Sequence, residues 1–184
     1  MSAFTLKKED TQFLMIDIQE KLLPAIHANE RVQGNIIKLL KTAQVLEIPV
    51  KYTEQYPKGL GPTVAPIQEA LEGKGQHLEK SHFSCMDEKG FEAFINDPVR
   101  NKVVVFGIES HICVMSTVMG MLEKGMKVAV VHDACGSRDP GNHEIAMNTL
   151  GQAGAVVLPV ESVIYQLICQ SGTPEFKSLL PLFK

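Results

Sequence analysis

The cysteine at position 113 is the residue of this chain with the clearest capacity for covalent chemistry. Residues 102–106 form a valine-rich apolar run that is typical of a buried strand. Gly107 and a helical pattern over residues 110–124 follow, so Cys113 falls in the first turn of a predicted helix. Unpaired backbone N–H groups and the helix dipole favour a thiolate there and commonly lower the pKa of the thiol. We expect a nucleophile at Cys113, and the alternative is an inert core cysteine.

Two charged residues also stand where predicted strands end. Asp17 comes directly after the apolar run at residues 12–16, and a partly desolvated carboxylate can act as a general base. Lys80 follows a weaker strand pattern at residues 76–79, and an ammonium group beside a thiolate would stabilise its charge. Ordinary roles stay open for both, as a loop hydrogen-bond acceptor and as a solvated lysine. Gln19 is a candidate to hold a substrate carbonyl or to orient Asp17, or else an ordinary surface residue.

A scaffold for these side chains is indicated by alternating strand and helix patterns. Apolar, β-branched runs predict strands at residues 12–16, 49–53, 76–79, 102–106, 127–131 and 155–158. Helical patterns occupy residues 31–46, 110–124, 143–152, 161–169 and 174–183. This alternation predicts an α/β protein, a three-layer αβα sandwich around a doubly wound parallel sheet of about six strands. Ligands bind beyond the carboxyl ends of such strands, but the periodicity gives no strand order and does not show that the candidates meet.

Length and charge are those of an ordinary globular domain. The 184 residues suit one domain, 1–184, with no repeats and no linker. A net charge of −3 and the lack of a dense basic block argue against a nucleic-acid partner. No apolar run approaches the roughly 20 residues that span a bilayer, and residues 1–11 lack the apolar core of an export signal. We therefore expect a cytoplasmic protein with no nucleic-acid and no membrane partner.

Cysteine and histidine spacing gives no sign of a metal site. The cysteines at positions 85, 113, 135 and 169 form no C-x-x-C pair, which argues against a zinc ribbon and a thioredoxin-type motif. The histidines show none of the close spacings of common metal motifs. A G-x-S-x-G elbow is also missing, which argues against a serine hydrolase of the α/β-hydrolase type. The sequence thus predicts no metal and no cofactor.

Four segments, taken in order, resemble the isochorismatase-like hydrolase family over nearly the whole chain. They are Met15-Ile-Asp-Ile-Gln19, Lys80-Ser-His-Phe83, Gly107-Ile-Glu-Ser-His-Ile-Cys113 and Val131-His-Asp-Ala-Cys-Gly-Ser137. Within the family, the stretch Thr53-Glu-Gln-Tyr-Pro-Lys-Gly-Leu-Gly61 is most similar to animal isochorismatase-domain-containing proteins and their bacterial relatives. The resemblance implies the isochorismatase-like hydrolase fold.

The resemblance also implies a catalytic triad of Asp17, Lys80 and Cys113. In that scheme Asp17 takes the thiol proton, Lys80 stabilises the charges, and Cys113 attacks a carbonyl carbon. Asp17 then protonates the leaving amine, and water cleaves the resulting thioester. A cis peptide bond between Ile108 and Glu109 is implied as well, with the backbone N–H groups of Glu109 and Cys113 forming an oxyanion hole.

Two departures from the family pattern restrict the reaction that it implies. Related nicotinamidases bind a metal through an aspartate and two histidines after the second strand, and this chain has Thr53-Glu-Gln-Tyr-Pro-Lys58 there. True isochorismatases cleave a vinyl ether and lack the cysteine, so Cys113 favours an amide, imide or ester substrate. Gln19, Tyr56 and Phe83 are expected to contact that substrate. The family further implies a homo-oligomer, a dimer or tetramer.

The leading hypothesis is therefore a metal-independent cysteine hydrolase with an unknown small substrate. Two other functions stay open from the sequence alone. One is a non-catalytic interaction or scaffold protein on the same fold. The other is a redox-sensing thiol at Cys113, because an exposed thiolate is easily oxidised.

Overall fold

The computed structural model describes residues 4–183, which contain one sheet of six parallel strands. The strands are β1 (Thr11–Ile16), β2 (Val50–Gln55), β3 (Gln76–Lys80), β4 (Lys102–Ile108), β5 (Lys127–Gly136) and β6 (Val156–Leu158). Their order across the sheet is β3-β2-β1-β4-β5-β6, and every neighbouring pair is parallel. The predicted doubly wound sheet is confirmed, with a strand order that the periodicity alone did not supply.

Helices cover both faces of this sheet. The α-helices of the described residues are α1 (Asn29–Leu46), α2 (Pro57–Leu60), α3 (Ala65–Leu71), α4 (Phe91–Ile95), α5 (Met115–Glu123), α6 (Pro140–Ala153), α7 (Val160–Ile168) and α8 (Pro174–Leu179). Shorter 3₁₀ turns occur at Leu23–Ala25, Cys85–Asp87 and Leu180–Phe183, and a π-helical turn at Ser110–Val114. Helix α1 contacts α3, α7 and α8, whereas α5 contacts α6, which gives one group of helices on each face. The predicted αβα layering is thus confirmed.

The central strands are buried along almost their whole length because both faces are covered. Every residue of β1 is buried, and so are the residues of β4 after Lys102. Phe13 and Phe106, on these adjacent strands, pack edge to face with ring centroids 5.8 Å apart. Burial on both faces explains why the strands read as continuous apolar runs rather than as an alternating pattern.

Some helix boundaries differ from the predicted ones. Helices α3 and α4 lie where no helix was predicted, and both are too short to show a clear helical period. Helix α6 begins at Pro140, before the predicted start at residue 143, because the Asp139 carboxylate accepts a hydrogen bond from the Asn142 amide at 3.0 Å. The predicted helix at residues 110–124 begins as the π-helical turn.

The described part of the chain is slightly shorter than the predicted domain. Residues 1–3 and 184, which belong to the domain range 1–184, lie outside the described residues. Within residues 4–183, no helix combines the length and apolar character needed to cross a lipid bilayer.

Gly107 allows β4 to pass very close to β1. Its φ angle is +131°, in a region that residues with a side chain rarely adopt. A Cβ atom added there would collide with the Ile16 carbonyl oxygen and would lie 2.7 Å from the Ile16 amide nitrogen. These are backbone atoms of the adjacent central strand, so no side chain can move aside to relieve the clash.

Replacing Gly107 with alanine should therefore strongly destabilise the protein. We expect the free energy of unfolding to fall by about 3 kcal/mol, the upper part of the range for overpacked sites. The matched control is Gly34→Ala in helix α1, where an added Cβ has no neighbour within 4 Å. This control should instead gain about 0.5–1 kcal/mol. Urea denaturation followed by circular dichroism measures both, and a Gly107→Ala variant as stable as wild type would contradict the packing argument.

Candidate active site

The three residues predicted to do chemistry lie at one edge of the sheet, beyond the carboxyl ends of three strands. Asp17 directly follows β1, Lys80 is the last residue of β3, and Cys113 lies in the π-helical turn after β4. Strands β1 and β4 are neighbours, and the chain order of the strands reverses between them. Such a reversal point is where doubly wound sheets commonly bind ligands.

Asp17 and Lys80 form a fully buried ion pair. The Lys80 Nζ atom lies 2.7 Å from Asp17 Oδ2, and neither side chain is exposed to solvent. Strand β2 lies between their two strands and supplies further partners. Thr53 Oγ1 donates a hydrogen bond to Asp17 Oδ1 at 2.8 Å, and Lys80 Nζ donates to Gln55 Oε1 at 2.5 Å. Lys80 Nζ also donates to the His82 carbonyl at 3.3 Å, so both charges are held in fixed orientations.

The backbone conformation of Asp17 directs its carboxylate toward Lys80. Asp17 has a φ angle of +57°, in the left-handed region that aspartate tolerates better than most residues. Its amide N–H still donates to the Thr53 carbonyl at 3.1 Å, continuing the hydrogen bonding between β1 and β2. The carboxylate is thereby fixed to the end of the sheet rather than to a mobile loop.

The surroundings of Cys113 favour a neutral thiol over a thiolate. Burial raises its pKa to about 12, and the Asp17 carboxylate raises it as well, whereas the Lys80 ammonium lowers it by less. The side chain is only 7% exposed. The predicted low pKa at the start of a helix is therefore wrong. The helix-dipole argument assumed an accessible thiol, and here desolvation and a neighbouring carboxylate dominate.

Lys80 stays positively charged in these surroundings. Burial by itself would lower its pKa, but the Asp17 carboxylate opposes this, as do the Cys113 and Cys85 sulfurs once they ionise at high pH, and the pKa is left raised. Because the folded-state pKa exceeds the ordinary value of 10.5, the stabilisation from this charge is complete below that pH. It is lost as the pH rises through the raised pKa, and so the pair is intact throughout the neutral range.

Gln19 holds the loop after β2 rather than facing open space. Its side-chain amide donates to the Gln55 carbonyl at 2.9 Å and to the Gly61 carbonyl at 2.7 Å. Its Oε1 atom accepts the Gln55 amide N–H at 2.7 Å. Both amide protons are thus engaged by backbone groups within the protein. This arrangement suits a residue that positions the loop, and the expected contact with substrate stays a prediction.

Residues 11–162 match the isochorismatase domain. The chain belongs to the isochorismatase domain family. It is 36% identical over 179 residues to isochorismatase domain-containing protein 2 of Danio rerio, which covers 96% of this chain and 88% of that protein. The motif resemblance is thereby confirmed.

Solved structures give the same result for the isochorismatase fold. The MAR1 ribonuclease of Caenorhabditis elegans has a TM-score of 0.90 at 33% identity, covering 98% of this chain and 92% of that chain. The YcaC protein of Escherichia coli, described as an octameric hydrolase of unknown specificity, has a TM-score of 0.92 at 21% identity. That match covers 100% of this chain and 91% of the other and supports the fold alone.

The candidate site includes residues that sequence reasoning missed. Thr53 and Gln55 end β2, so the rule that singled out Asp17 could have found them. Cys85 is fully buried beside the ion pair, where burial raises its pKa to about 11, and its amide donates to Thr117 Oγ1 at 2.9 Å. Cys85 follows Lys80 closely in the chain, but no spacing motif marks it as part of the site.

The segment before Cys113 has the backbone form that the isochorismatase resemblance implied. The peptide bond between Ile108 and Glu109 is cis. The Glu109 carboxylate accepts the Arg138 amide N–H at 2.9 Å and lies 3.1 Å from its guanidinium nitrogen. The oxyanion hole expected from the backbone N–H groups of Glu109 and Cys113 stays a prediction. So does substrate contact by the other two predicted residues, which are exposed: Tyr56 by 59% and Phe83 by 63%.

Removing the charge of Asp17 and removing the charge of Lys80 should shift the pKa of Cys113 in opposite directions. Asp17→Asn removes a negative neighbour and should lower the pKa of the thiol, whereas Lys80→Met removes a positive neighbour and should raise it. The rate of Cys113 alkylation by iodoacetamide, followed by peptide mass spectrometry across pH, reports the ionisation. The exposed Cys169 is the internal control, and its profile should not change. A shift of Cys113 in the same direction in both variants would contradict the geometry.

Proposed function

We propose that the protein is a metal-independent cysteine hydrolase that cleaves a small amide, imide or ester through a thioester on Cys113. The observation that carries this proposal is the buried ion pair of Asp17 and Lys80 beside the Cys113 thiol. A base, a fixed positive charge and a nucleophile then act on one another at the point where this fold type binds ligands.

The proposed reaction begins when a substrate carbonyl reaches the Cys113 sulfur. Asp17 accepts the thiol proton as the carbon–sulfur bond forms, and the carbonyl electron pair moves onto oxygen. The backbone N–H groups of Glu109 and Cys113 hold this oxyanion. Collapse of the intermediate breaks the bond to the amine or alcohol, which leaves with the proton from Asp17. Asp17 then deprotonates a water molecule that cleaves the thioester and restores the thiol.

The burial of the Cys113 nucleophile favours a small substrate. Cys113 is almost enclosed, so only a compact acyl group can approach its sulfur. The exposed residue Phe83 closely follows Lys80 in the chain, and the exposed residue Tyr56 donates its amide N–H to the Lys80 carbonyl at 2.9 Å. We propose that the rings of Tyr56 and Phe83 line the entrance to the candidate active site, while Gln19 holds the loop after β2 in place.

Turnover of a small-molecule panel should depend on the nucleophile and the base. In an assay of amides, imides and esters, Cys113→Ala and Asp17→Asn should each reduce kcat by at least about 10³-fold. Intact-mass spectrometry of wild type after rapid quenching should show an acyl adduct that Cys113→Ala lacks. Cys169→Ser, which changes an exposed thiol, should retain full activity and serves as the control. Undiminished turnover in a folded Cys113→Ala variant would refute the mechanism and leave the scaffold alternative.

A ribonuclease is the second candidate function. The observation in its favour is the 33% identity to the C. elegans MAR1 ribonuclease. The net charge of −3 speaks against it, because RNA binding depends on positive surfaces that neutralise phosphates. Incubation of a labelled single-stranded RNA with wild type and with Cys113→Ala, followed by measurement of RNA cleavage, tests this candidate function. Cleavage that is lost in the variant would favour this candidate, and an intact RNA would remove it.

We also propose that the protein acts in the cytoplasm as a homo-oligomer. All four cysteines are free, which agrees with a reducing compartment. The E. coli YcaC protein of the same fold is octameric, and this chain exposes several large apolar side chains. They are Tyr56, Phe83, Val99, Met119, Ile145 and Tyr165.

The molar mass in solution tests the oligomer. Light scattering coupled to size exclusion should give at least twice the 20.2 kDa of one chain. Met119→Ser and Ile145→Ser should shift the protein toward the monomer if these side chains are covered in the assembly. A wild-type protein that elutes at the mass of one chain at micromolar concentration would contradict the proposal.

A further inference from the structure

A second group of polar side chains lies at the carboxyl end of β5, apart from the ion pair. His132 belongs to β5, and His143 and Glu144 belong to α6. One ligand atom from each of the three residues lies within 4.8 Å of the other two. The group borders a cleft of about 230 Å³ that is also lined by Arg31 and Asp133. None of these residues takes part in the proposed hydrolysis.

The spacing of the three side chains is close to that of a metal site. His132 Nε2 lies 3.3 Å from Glu144 Oε1, and His143 Nε2 lies 4.0 Å from the same oxygen. Zinc–ligand bonds of about 2.0–2.1 Å in a tetrahedron place ligand atoms about 3.3 Å apart. One pair already has that separation, and the others reach it by side-chain movements of about 1 Å.

His143 is oriented as metal-binding histidines usually are. Its Nδ1 atom is hydrogen-bonded to Ser110 Oγ at 2.8 Å, and Ser110 is fully buried. This contact fixes the ring and directs the other nitrogen, Nε2, toward His132 and Glu144. The two imidazole rings lie edge to face with centroids 4.6 Å apart, so they pack against each other.

We propose that His132, His143 and Glu144 form a binding site for a divalent transition metal, with zinc as the best match. Two imidazoles and one carboxylate are a ligand set that zinc accepts, and they leave a fourth position open to water or a small anion. Arg31 lines the same cleft, and its positive charge would favour an anion in the cleft. The site departs from the metal-free expectation, because β5 and α6 bring together residues whose spacing shows no metal motif.

The site is also connected to the candidate active site. Ser110, which holds His143, is in the same π-helical turn as Cys113. A metal bound to His143 would therefore fix the turn that carries the nucleophile without contacting it. The hydrolysis proposed above does not depend on this metal, so either proposal can fail while the other stands.

Titration of the full-length, chelator-treated protein with zinc chloride tests the site. Isothermal titration calorimetry should show one equivalent bound per chain, and His132→Ala and Glu144→Gln should each weaken binding at least about 10-fold. Both side chains are at least one-third exposed, so the variants should fold. The matched control is His77→Ala, since His77 and Glu54 form a similar pair at 3.3 Å outside this cluster. The control should bind zinc as wild type does.

Cobalt chloride distinguishes this site from binding at a thiol. Cobalt bound by nitrogen and oxygen should give visible absorption bands that disappear in His132→Ala and lack a thiolate-to-cobalt charge-transfer band. A charge-transfer band that disappears in Cys169→Ser instead would overturn the proposal. Zinc affinity that is unchanged in both His132→Ala and Glu144→Gln, or the lack of any zinc binding to wild type, would overturn it as well.

Discussion

The ion pair of Lys80 and Asp17 is the interaction on which the candidate site depends. Removing two charges from water costs several kcal/mol for each ion, and mutual attraction offsets this only when hydrogen bonds satisfy the remaining valences. Thr53 and Gln55 supply such bonds from the intervening strand, one to each charge. The pair therefore depends on the ends of β1, β2 and β3 lying side by side in the observed register.

The end of β2 also positions the loop that follows it, beside the candidate site. Gln55 donates its backbone N–H to Gln19 and accepts a bond from the Gln19 amide, while its side chain receives the Lys80 ammonium. Gln19 in turn holds Gly61 in the following loop. Charge, strand register and loop position are thus parts of one hydrogen-bonded network. Because its members are buried, moving one of them leaves another polar group without a partner.

Local sequence patterns predicted the elements of this network but not its assembly. Asp17, Lys80 and Cys113 could be assigned to positions at or after strand ends, because an apolar run locates a buried strand to within a few residues. The order of the strands depends on packing between distant segments, and it alone brings Lys80 to Asp17 across the intervening strand β2. The pKa of Cys113 was mispredicted for the same reason, since desolvation is a property of the folded interior.

A high thiol pKa is compatible with a nucleophilic role because the site keeps its total charge during proton transfer. In the proposed mechanism a carboxylate and an ammonium flank a neutral thiol before the reaction, and after proton transfer to Asp17 a thiolate and the same ammonium would remain. The negative charge moves between neighbouring atoms, and no additional charge is buried, so the large desolvation cost is not incurred again. Lys80 has one negative partner in either state. Under the proposed mechanism the sulfur becomes an anion only during this transfer, which would protect it from oxidants and argues against a redox-sensing role for Cys113.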